Sequence, residues 1–216
     1  AWTDCGQVGP EENTQTYAFA AYRGELYVAT WRTGRVYKYR GDNDWLDCGR
    51  LGEELEVMGM AVHNGQLYAG TLPSAEVYRY DGETTWTKVG TLDTTPDVKY
   101  RRVWTMAEFN GRLYCGTLPS GKVWSMSAGY NVTCDKELPT GWHHVAAVRC
   151  GQHLRLYLDG KQVAAGQWQG LPLVNIENDA PLLIGFGPTD YFHGALRDVR
   201  LYSRALADVE LAALAK

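Results

Sequence analysis

The amino-acid sequence predicts an all-β fold, in which four-stranded repeats are followed by a different set of strands and one short C-terminal helix. A segment of the form Gly-x-Leu-Tyr occurs three times, starting at Gly24, Gly65 and Gly111, with spacings of 41 and 46 residues. Around each copy, apolar and polar residues alternate as in half-buried strands. After Trp124 the repeat does not return, and shorter strand-like runs separated by glycine-containing turns take its place.

Two strands of each repeat flank its glycine. A short apolar run precedes the glycine at residues 17–22, 58–63 and 104–109, and a Leu-Tyr segment follows it. An Arg-Gly or Asn-Gly pair between two such runs predicts a tight hairpin, because glycine tolerates the positive φ that the turn requires.

Two further strands complete the repeat. The third contains Val36 or Val77, each followed by an aromatic residue in an alternating pattern, and the fourth begins at Trp45 or Trp86. The third repeat has the third-strand signature at Val123 but no fourth strand after it. Residues 2–9 are a further copy of the fourth strand, 43 residues before Trp45, and place Cys5 opposite Cys48 in the alignment of repeats. We expect both thiols to be buried and free.

Four strands in roughly 40 to 50 residues are typical of a propeller blade. Residues 1–126 therefore resemble the kelch-like β-propeller families, with three blades. Ordinary propellers have four to eight blades. Two interpretations follow: the chain is a fragment of a longer protein, or it is a homo-oligomer in which two chains make six blades.

Residues 127–216 carry a second pattern. Strands are predicted at residues 140–148, 154–163, 181–185 and 194–202, with a short helix at 207–214. The order of Gly-Trp-His-His-Val-Ala, Leu-Tyr-Leu-Asp-Gly, Pro-Leu-Leu-Ile-Gly and Gly-Ala-Leu-Arg-Asp-Val-Arg-Leu-Tyr resembles the C-terminal half of the laminin-G-like, concanavalin-like jelly roll. The resemblance implies a partial β-sandwich. That family builds its calcium- and sugar-binding loops from both halves, so a divalent metal such as calcium stays open as a cofactor and no ligand residue is assigned.

Composition and charge narrow the classes of partner. The net charge is −4, and no run of basic residues is longer than Arg101-Arg102, so the electrostatic footprint of a nucleic-acid-binding protein is missing. No apolar run approaches the ~18 residues of a membrane span. The chain starts at Ala1 without an initiator Met or a signal peptide, from which we expect a processed protein that is secreted or periplasmic.

Candidate ligand-binding residues lie where a propeller binds its ligands, at one mouth of the central channel. Tyr17, Met58 and Trp104 begin the innermost strands. Exposed aromatic rings stack on sugars, and a neighbouring arginine adds polar contacts. The predicted ligand-binding set is Tyr17, Trp31, Arg32, Trp104, Arg101 and Tyr191, of which Arg101 belongs to a long insertion at residues 93–102.

Three residues are candidates for catalysis. His63 stands where the other repeats have Tyr22 and Phe109, and His193 lies in a loop with Asp190. An imidazole beside a carboxylate can act as a base or bind a metal, although each histidine fits a surface turn equally well. The adjacent His143 and His144 point to opposite faces of a strand, and the jelly-roll resemblance implies a structural role for them.

The sequence thus favours carbohydrate or glycoconjugate binding by an exported bacterial-type protein. Two alternatives stay open: a hydrolase of ester or glycosidic bonds with a site built from loops, and a protein–protein interaction module. Whether the protein is an enzyme is left undecided, since a fold alone does not determine a function.

Overall fold

A computed structural model describes residues 1–127, 129–167 and 178–216. The chain divides into two compact units: Ala1–Glu108, Arg112–Ala128 and Ile184–His193 form the first, and Phe109–Gly111, Gly129–Leu183 and Gly194–Lys216 form the second. The domain boundary predicted after residue 126 stays a prediction. In the part of the chain that the structure describes, no helix is long and apolar enough to cross a membrane.

The first unit is built from the predicted repeats. The first repeat has β1 (Gln15–Tyr22), β2 (Glu25–Trp31), β3 (Arg35–Gly41) and β4 (Asp44–Arg50). The second has β5 (Glu56–His63), β6 (Gln66–Leu72), β7 (Glu76–Gly82) and β8 (Thr85–Thr91). The third has β9 (Arg102–Phe109), β10 (Arg112–Leu118) and β11 (Val123–Met126). These bounds confirm the predicted strands and the turn at each Gly-x-Leu-Tyr segment.

The hairpin turns have the backbone that the sequence predicts. Arg23 and Gly24 have φ of 52° and 75°, and Asn64 and Gly65 have φ of 46° and 74°. Two successive positive φ angles form the turn whose twist matches that of paired antiparallel strands.

A closed propeller is not confirmed. The first two repeats form one curled sheet of eight strands in the order β4-β3-β2-β5-β6-β7-β8, with β1 paired to β2. The two repeats are joined through a single register pair, Trp31 with Glu56. The third repeat is a separate sheet in the order β11-β10-β9. Three repeats are fewer than the four blades of the smallest ordinary propeller, so they do not close a circle.

Residues 2–9 are not a strand, which corrects the prediction. Part of this segment nevertheless contacts the first repeat as the fourth strand of the first repeat contacts the second. The indole Nε1 of Trp45 donates a hydrogen bond to the carbonyl of Cys5 at 2.8 Å, as Trp86 Nε1 does to Cys48 at 2.8 Å. Cys48 is a buried free thiol, whereas Cys5 is exposed, contrary to expectation. The segment therefore covers part of the first repeat without a sheet of its own.

A buried polar side chain links each repeat to the next. It follows the fourth strand, or residues 2–9, and holds the turn between the second and third strands of the following repeat. We call these side chains the latch residues: Asn13, Glu54 and Asp93, which are all buried. They accept hydrogen bonds from Thr33 Oγ1 at 2.7 Å, from Thr71 Oγ1 and Ser74 N at 2.7 and 3.0 Å, and from Ser120 N at 3.0 Å, respectively.

The Asp93 latch makes the stability of the repeats depend on pH. Burial alone would raise the pKa of Asp93, but hydrogen bonds from Thr95 and Ser120 outweigh burial and hold it well below its usual range. A carboxyl with a lowered folded-state pKa stabilises the fold above its unfolded pKa, and this contribution disappears as pH falls through the folded pKa.

We therefore expect Asp93→Asn to lower the free energy of unfolding by about 1.5–3 kcal/mol at pH 7, the range for hydrogen bonds to a charged group. The difference from the wild type should shrink as the pH falls below about 4. Urea denaturation at pH 7 and pH 3 measures it, with Asp97→Asn in an exposed loop as the control. A loss of equal size at both pH values would contradict the assignment.

The second unit has three antiparallel strands, β12 (Val145–Cys150), β13 (His153–Leu158) and β14 (Lys161–Gln167), and the helix α1 (Asp208–Leu214). The predicted helix is confirmed, and Tyr157 packs with Leu206 and Leu211 in a small core. Residues 181–185 and 194–202 contain no strand, so those two predictions are wrong. A strand needs a neighbour for its backbone hydrogen bonds, and repeats stand where the other half of a jelly roll would supply one.

His143 and His144 both bind Asp159, in the turn that joins β13 to β14. His143 Nδ1 lies 2.8 Å from one carboxylate oxygen, and the backbone N–H of His144 donates to the other at 3.0 Å. The hydrogen bond to Asp159 raises the pKa of His143. This geometry fits the structural role that the resemblance implies.

Candidate functional site

A cleft of about 300 Å³ opens between the first strands of the three repeats, β1, β5 and β9. Such a volume is at the lower end of the range for small-molecule sites. Equivalent positions of the three repeats meet in its wall, which consists of Tyr17, Ala18, Met58, Gly59, Met60, Trp104, Thr105 and Met106. The structure thus brings together Tyr17, Met58 and Trp104, the residues expected at a channel mouth.

The strands approach closely at Gly59. A Cβ atom at this position would lie 3.0 Å from the carbonyl oxygen of Trp104. The small residue therefore permits β5 and β9 to converge, and this convergence brings the rings of Tyr17 and Trp104 to the same cleft. Trp104 is exposed and Tyr17 half-buried, so both rings are accessible.

A polar rim lies beside the aromatic residues. Gln15, Glu56 and Arg102 each stand two residues before Tyr17, Met58 and Trp104, respectively. The hydroxyl of Tyr17 is within hydrogen-bond reach of Gln15 Oε1, at 2.7 Å, and of Glu56. Burial raises the pKa of Glu56 above its usual range, against the opposing effect of Arg102 and the hydrogen bond from Tyr17.

Arg102 has donor capacity to spare. Its Nε is buried and has no hydrogen-bond partner among the described residues. Its guanidinium carbon lies 5.9 Å from the centre of the Trp104 ring and 6.0 Å from that of Tyr100. A buried N–H without a partner is costly, and a ligand oxygen at the rim could accept its hydrogen bond.

Trp31 and Arg32 lie next to this rim. In the sheet register Trp31 pairs with both Gln15 and Glu56. The Arg32 guanidinium stacks 4.9 Å from the centre of the Trp31 ring, within the range of a cation–π contact. The pair does not contribute to the cleft wall among the described residues, but it neighbours two of the three rim residues.

Arg101 and Tyr191 are placed elsewhere. Arg101 donates from Nη1 to the carbonyl of Thr95 at 3.0 Å, which holds the insertion in place. The Tyr191 ring packs against Phe186 with ring centres 4.6 Å apart and ring planes inclined by 51°. Their loop binds the β1–β2 turn, where the N–H groups of Arg23 and Gly24 donate to the carbonyls of Pro188 and Thr189 at 2.8 and 2.9 Å.

The catalytic candidates lie apart from the cleft wall. His63 is buried, and its Nδ1 contacts Glu108 Oε2 at 3.1 Å, which links β5 to β9. His193 is exposed, and its Nε2 is 4.0 Å from Asp190 Oδ2, beyond hydrogen-bond distance. Within residues 1–127, 129–167 and 178–216, no three His, Cys, Asp or Glu side chains are grouped to hold a metal ion.

The rim residues Gln15, Glu56 and Arg102 were missed by the sequence analysis. The signal that could have found them is the repeat itself, because all three occupy the same position two residues before the aromatic and Met positions. The three side chains differ in charge, and sequence alone did not show that they meet at one edge of the cleft.

Comparison with known protein families supports the resemblance of the C-terminal part of the sequence to a concanavalin-like jelly roll. The family model described as the concanavalin A-like lectin/glucanases superfamily, Laminin_G_3, matches residues 84–212. A crystal structure of residues 221–444 of an S-layer domain-containing protein from Clostridium thermocellum is 21% identical, with a TM-score of 0.33, and the match covers 85% of this chain and 93% of that chain. No curated protein matches the chain. Because the family model spans more than half of its residues, the chain belongs to the concanavalin A-like lectin/glucanases superfamily.

Proposed function

We propose that the protein binds carbohydrate or a glycoconjugate in the cleft between β1, β5 and β9. The observation that carries the proposal is the pairing of two accessible aromatic rings, Tyr17 and Trp104, with the polar rim next to them. The family description, which names lectins and glucanases, supports the same class of ligand.

A sugar makes two kinds of contact, and the cleft offers both. Its C–H face packs on an aromatic ring, for which Trp104 is exposed. Its hydroxyls need donors and acceptors: Glu56 supplies carboxylate oxygens, and Arg102 supplies the N–H that has no partner within the described residues. The volume of about 300 Å³ suits the end of a glycan chain better than a long stretch of polymer.

Replacing Trp104 tests the proposal. A glycan array identifies the ligand, and calorimetry then measures its affinity. We expect Trp104→Ala to weaken binding by about tenfold, because the substitution removes the ring on which the sugar stacks. A tenfold loss of affinity corresponds to about 1.4 kcal/mol. Trp142→Ala is the matched control, because Trp142 is an exposed tryptophan of the second unit and its loss should leave the affinity unchanged.

Two results would contradict the proposal. One is an array without any glycan above background. The other is loss of binding in Trp142→Ala but not in Trp104→Ala, which would move the site to the second unit. Repeating the titration with EDTA tests the calcium requirement, and release of free sugar from the bound glycan would indicate the hydrolase alternative.

We further propose that the protein works outside the cytoplasm, as a secreted or periplasmic binder. Glycans exposed on cell surfaces are the natural ligands for a cleft of this kind, and the lectin-like family supports this location. Immunodetection in fractions of the source cells tests it, and a signal confined to the cytoplasm would contradict it.

A further inference from the structure

The first repeat has an apolar face that the other repeats keep covered. Leu26, Leu67 and Leu113 occupy one repeat position, and their exposed fractions are 39%, 0% and 1%. Phe19 is exposed, whereas its equivalent Met60 is buried. Leu67 is buried because it packs in one core cluster with Ala20, Tyr22 and Ala29 of the preceding repeat. Within the described part of residues 1–216, no equivalent residues of another repeat pack on Leu26 and Phe19, and both side chains are exposed.

The third repeat has the complementary open face. Val36, Val77 and Val123 are equivalent, and their exposed fractions are 0%, 3% and 73%. In the first two repeats a fourth strand pairs with the third, as β4 does with β3. In the described part of the chain β11 pairs with β10 alone, and its other edge is open. An open edge and an exposed valine are what a fourth strand and a following repeat would cover.

Residues 2–9 carry the sequence of the missing strand. Trp2-Thr3-Asp4-Cys5-Gly6 matches Trp45-Leu46-Asp47-Cys48-Gly49 in four of five residues. The contact of Trp45 with Cys5 holds the segment against the first repeat, in the place of a fourth strand from a preceding repeat. Yet these residues form no sheet within the described chain, and Trp2 is fully exposed.

The charged residues of the N-terminal segment indicate that it pairs with the third strand of the third repeat. In the first and second repeats, one residue before the third strand's valine forms an ion pair with a residue of the fourth strand. The pairs are Arg35 with Asp47 at 2.7 Å, and Glu76 with Lys88 at 3.0 Å. The signs are reversed between the two repeats, but they remain opposite. The corresponding residues in the third repeat and the N-terminal segment are Lys122 and Asp4, which are again of opposite charge.

We propose that two copies of this chain pair by exchanging residues 2–7, which add a fourth strand to β11 of the other copy. The register of β3 with β4, in which Tyr37, Lys38 and Tyr39 pair with Asp47, Leu46 and Trp45, sets the register of the exchange. It places Trp124, Ser125 and Met126 opposite Asp4, Thr3 and Trp2 of the second copy. A two-fold axis makes both contacts at once and covers Leu26 and Val123 in each copy.

Two copies would place six repeats around one axis, within the range of ordinary propellers. The clefts of both copies would then face that axis, so that the second copy completes the wall of each site. The interface rests on the repeat positions and their charges, and it does not depend on the proposed carbohydrate ligand.

Native mass measured by light scattering on a sizing column, over a dilution series, tests the interface. We expect the mass of two 24.1 kDa chains. Asp4→Lys and Lys122→Asp should each raise the dimer dissociation constant about fivefold or more, because each places like charges opposite one another, and an opposite-charge pair contributes up to about 1 kcal/mol. The double variant reverses the pair and should restore the dissociation constant to within about twofold.

Both side chains are exposed in the single chain, so the variants should fold, and circular dichroism checks this. Asp97→Lys, an exposed loop residue, is the control for a general effect of charge. A wild-type mass other than that of two chains would overturn the proposal. So would a dimer whose dissociation constant is unchanged in both single variants, or single-variant losses that the double variant does not restore.

Discussion

Gly34→Ala is expected to lower the free energy of unfolding by about 3 kcal/mol or more. Gly34 lies in the turn between β2 and β3 with φ of 62°. A Cβ atom there would lie 2.0 Å from the carbonyl oxygen of Glu54 and 2.7 Å from its carbonyl carbon. A backbone group cannot rotate away as a side chain can, so the linker after β4 must shift. That linker contains a latch residue, and its displacement also strains the contacts of Glu54 with the second repeat.

The repeats provide controls that separate this clash from backbone strain. Gly121 is the equivalent residue of the third repeat, with φ of 65°, and apart from its chain neighbours no atom of the described residues lies within 4 Å of the place that its Cβ would take. At high dilution, Gly121→Ala should therefore cost only the left-handed strain of about 1 kcal/mol. Ala75 occupies the same position of the second repeat with φ of 54°, so alanine is compatible with this turn where space allows. Urea denaturation of both variants measures the difference, and equal losses would show that the clash is relieved.

Leu67→Ala is the second large effect, with an expected loss of about 2–5 kcal/mol, the range for removing a buried leucine side chain. Leu67 is fully buried in the main core cluster, between residues of the first and second repeats. The substitution leaves a cavity at that junction, and the two repeats should separate more easily on heating or in urea.

Leu26→Ala is the matched control, since Leu26 has the same repeat position but is 39% exposed. At high dilution it should cost less than about 1 kcal/mol. Its cost should rise with protein concentration if a second copy covers this face. A loss in dilute Leu26→Ala as large as in Leu67→Ala would contradict the burial that distinguishes the two positions.

Local signals predicted most of the strands. Arg-Gly and Asn-Gly pairs fixed the hairpins, because their positive φ angles are a property of those residues. Residues 181–185, an apolar run that ends at a glycine, and residues 194–202, which carry a jelly-roll-like motif, are not strands. Such a pattern describes what a segment would do with a neighbouring strand beside it, and the neighbour is not a property of the segment. The same reason explains residues 2–9, whose pattern is that of a fourth strand but which have no third strand beside them.

The candidate site was predicted in part for a similar reason. Tyr17 and Trp104 could be placed at one cleft because repeat equivalence puts the first strands around a common centre. Glu56 and Arg102 occupy an equivalent position too, but the electrostatic interaction between them depends on how closely β5 and β9 approach at Gly59. Arg101 and Tyr191 were selected for residue type and loop position. The Arg101 side chain instead donates a hydrogen bond within the insertion, and the Tyr191 ring packs on Phe186 within the 184–193 loop.

Because of the latch residues, the segment that folds as a unit does not have the same ends as the repeat in the sequence. Each follows the fourth strand of one repeat, or residues 2–9, in the sequence, but holds the turn between the second and third strands of the next repeat. A segment cut exactly at repeat boundaries would lose the group that orders its own second turn and would carry one meant for a neighbour. A transplantable module of this protein therefore starts at the latch residue before a repeat, not at the first strand. By the same logic, duplication of a coding segment in this array yields a stable extra repeat only when its ends fall between the fourth strand and the latch.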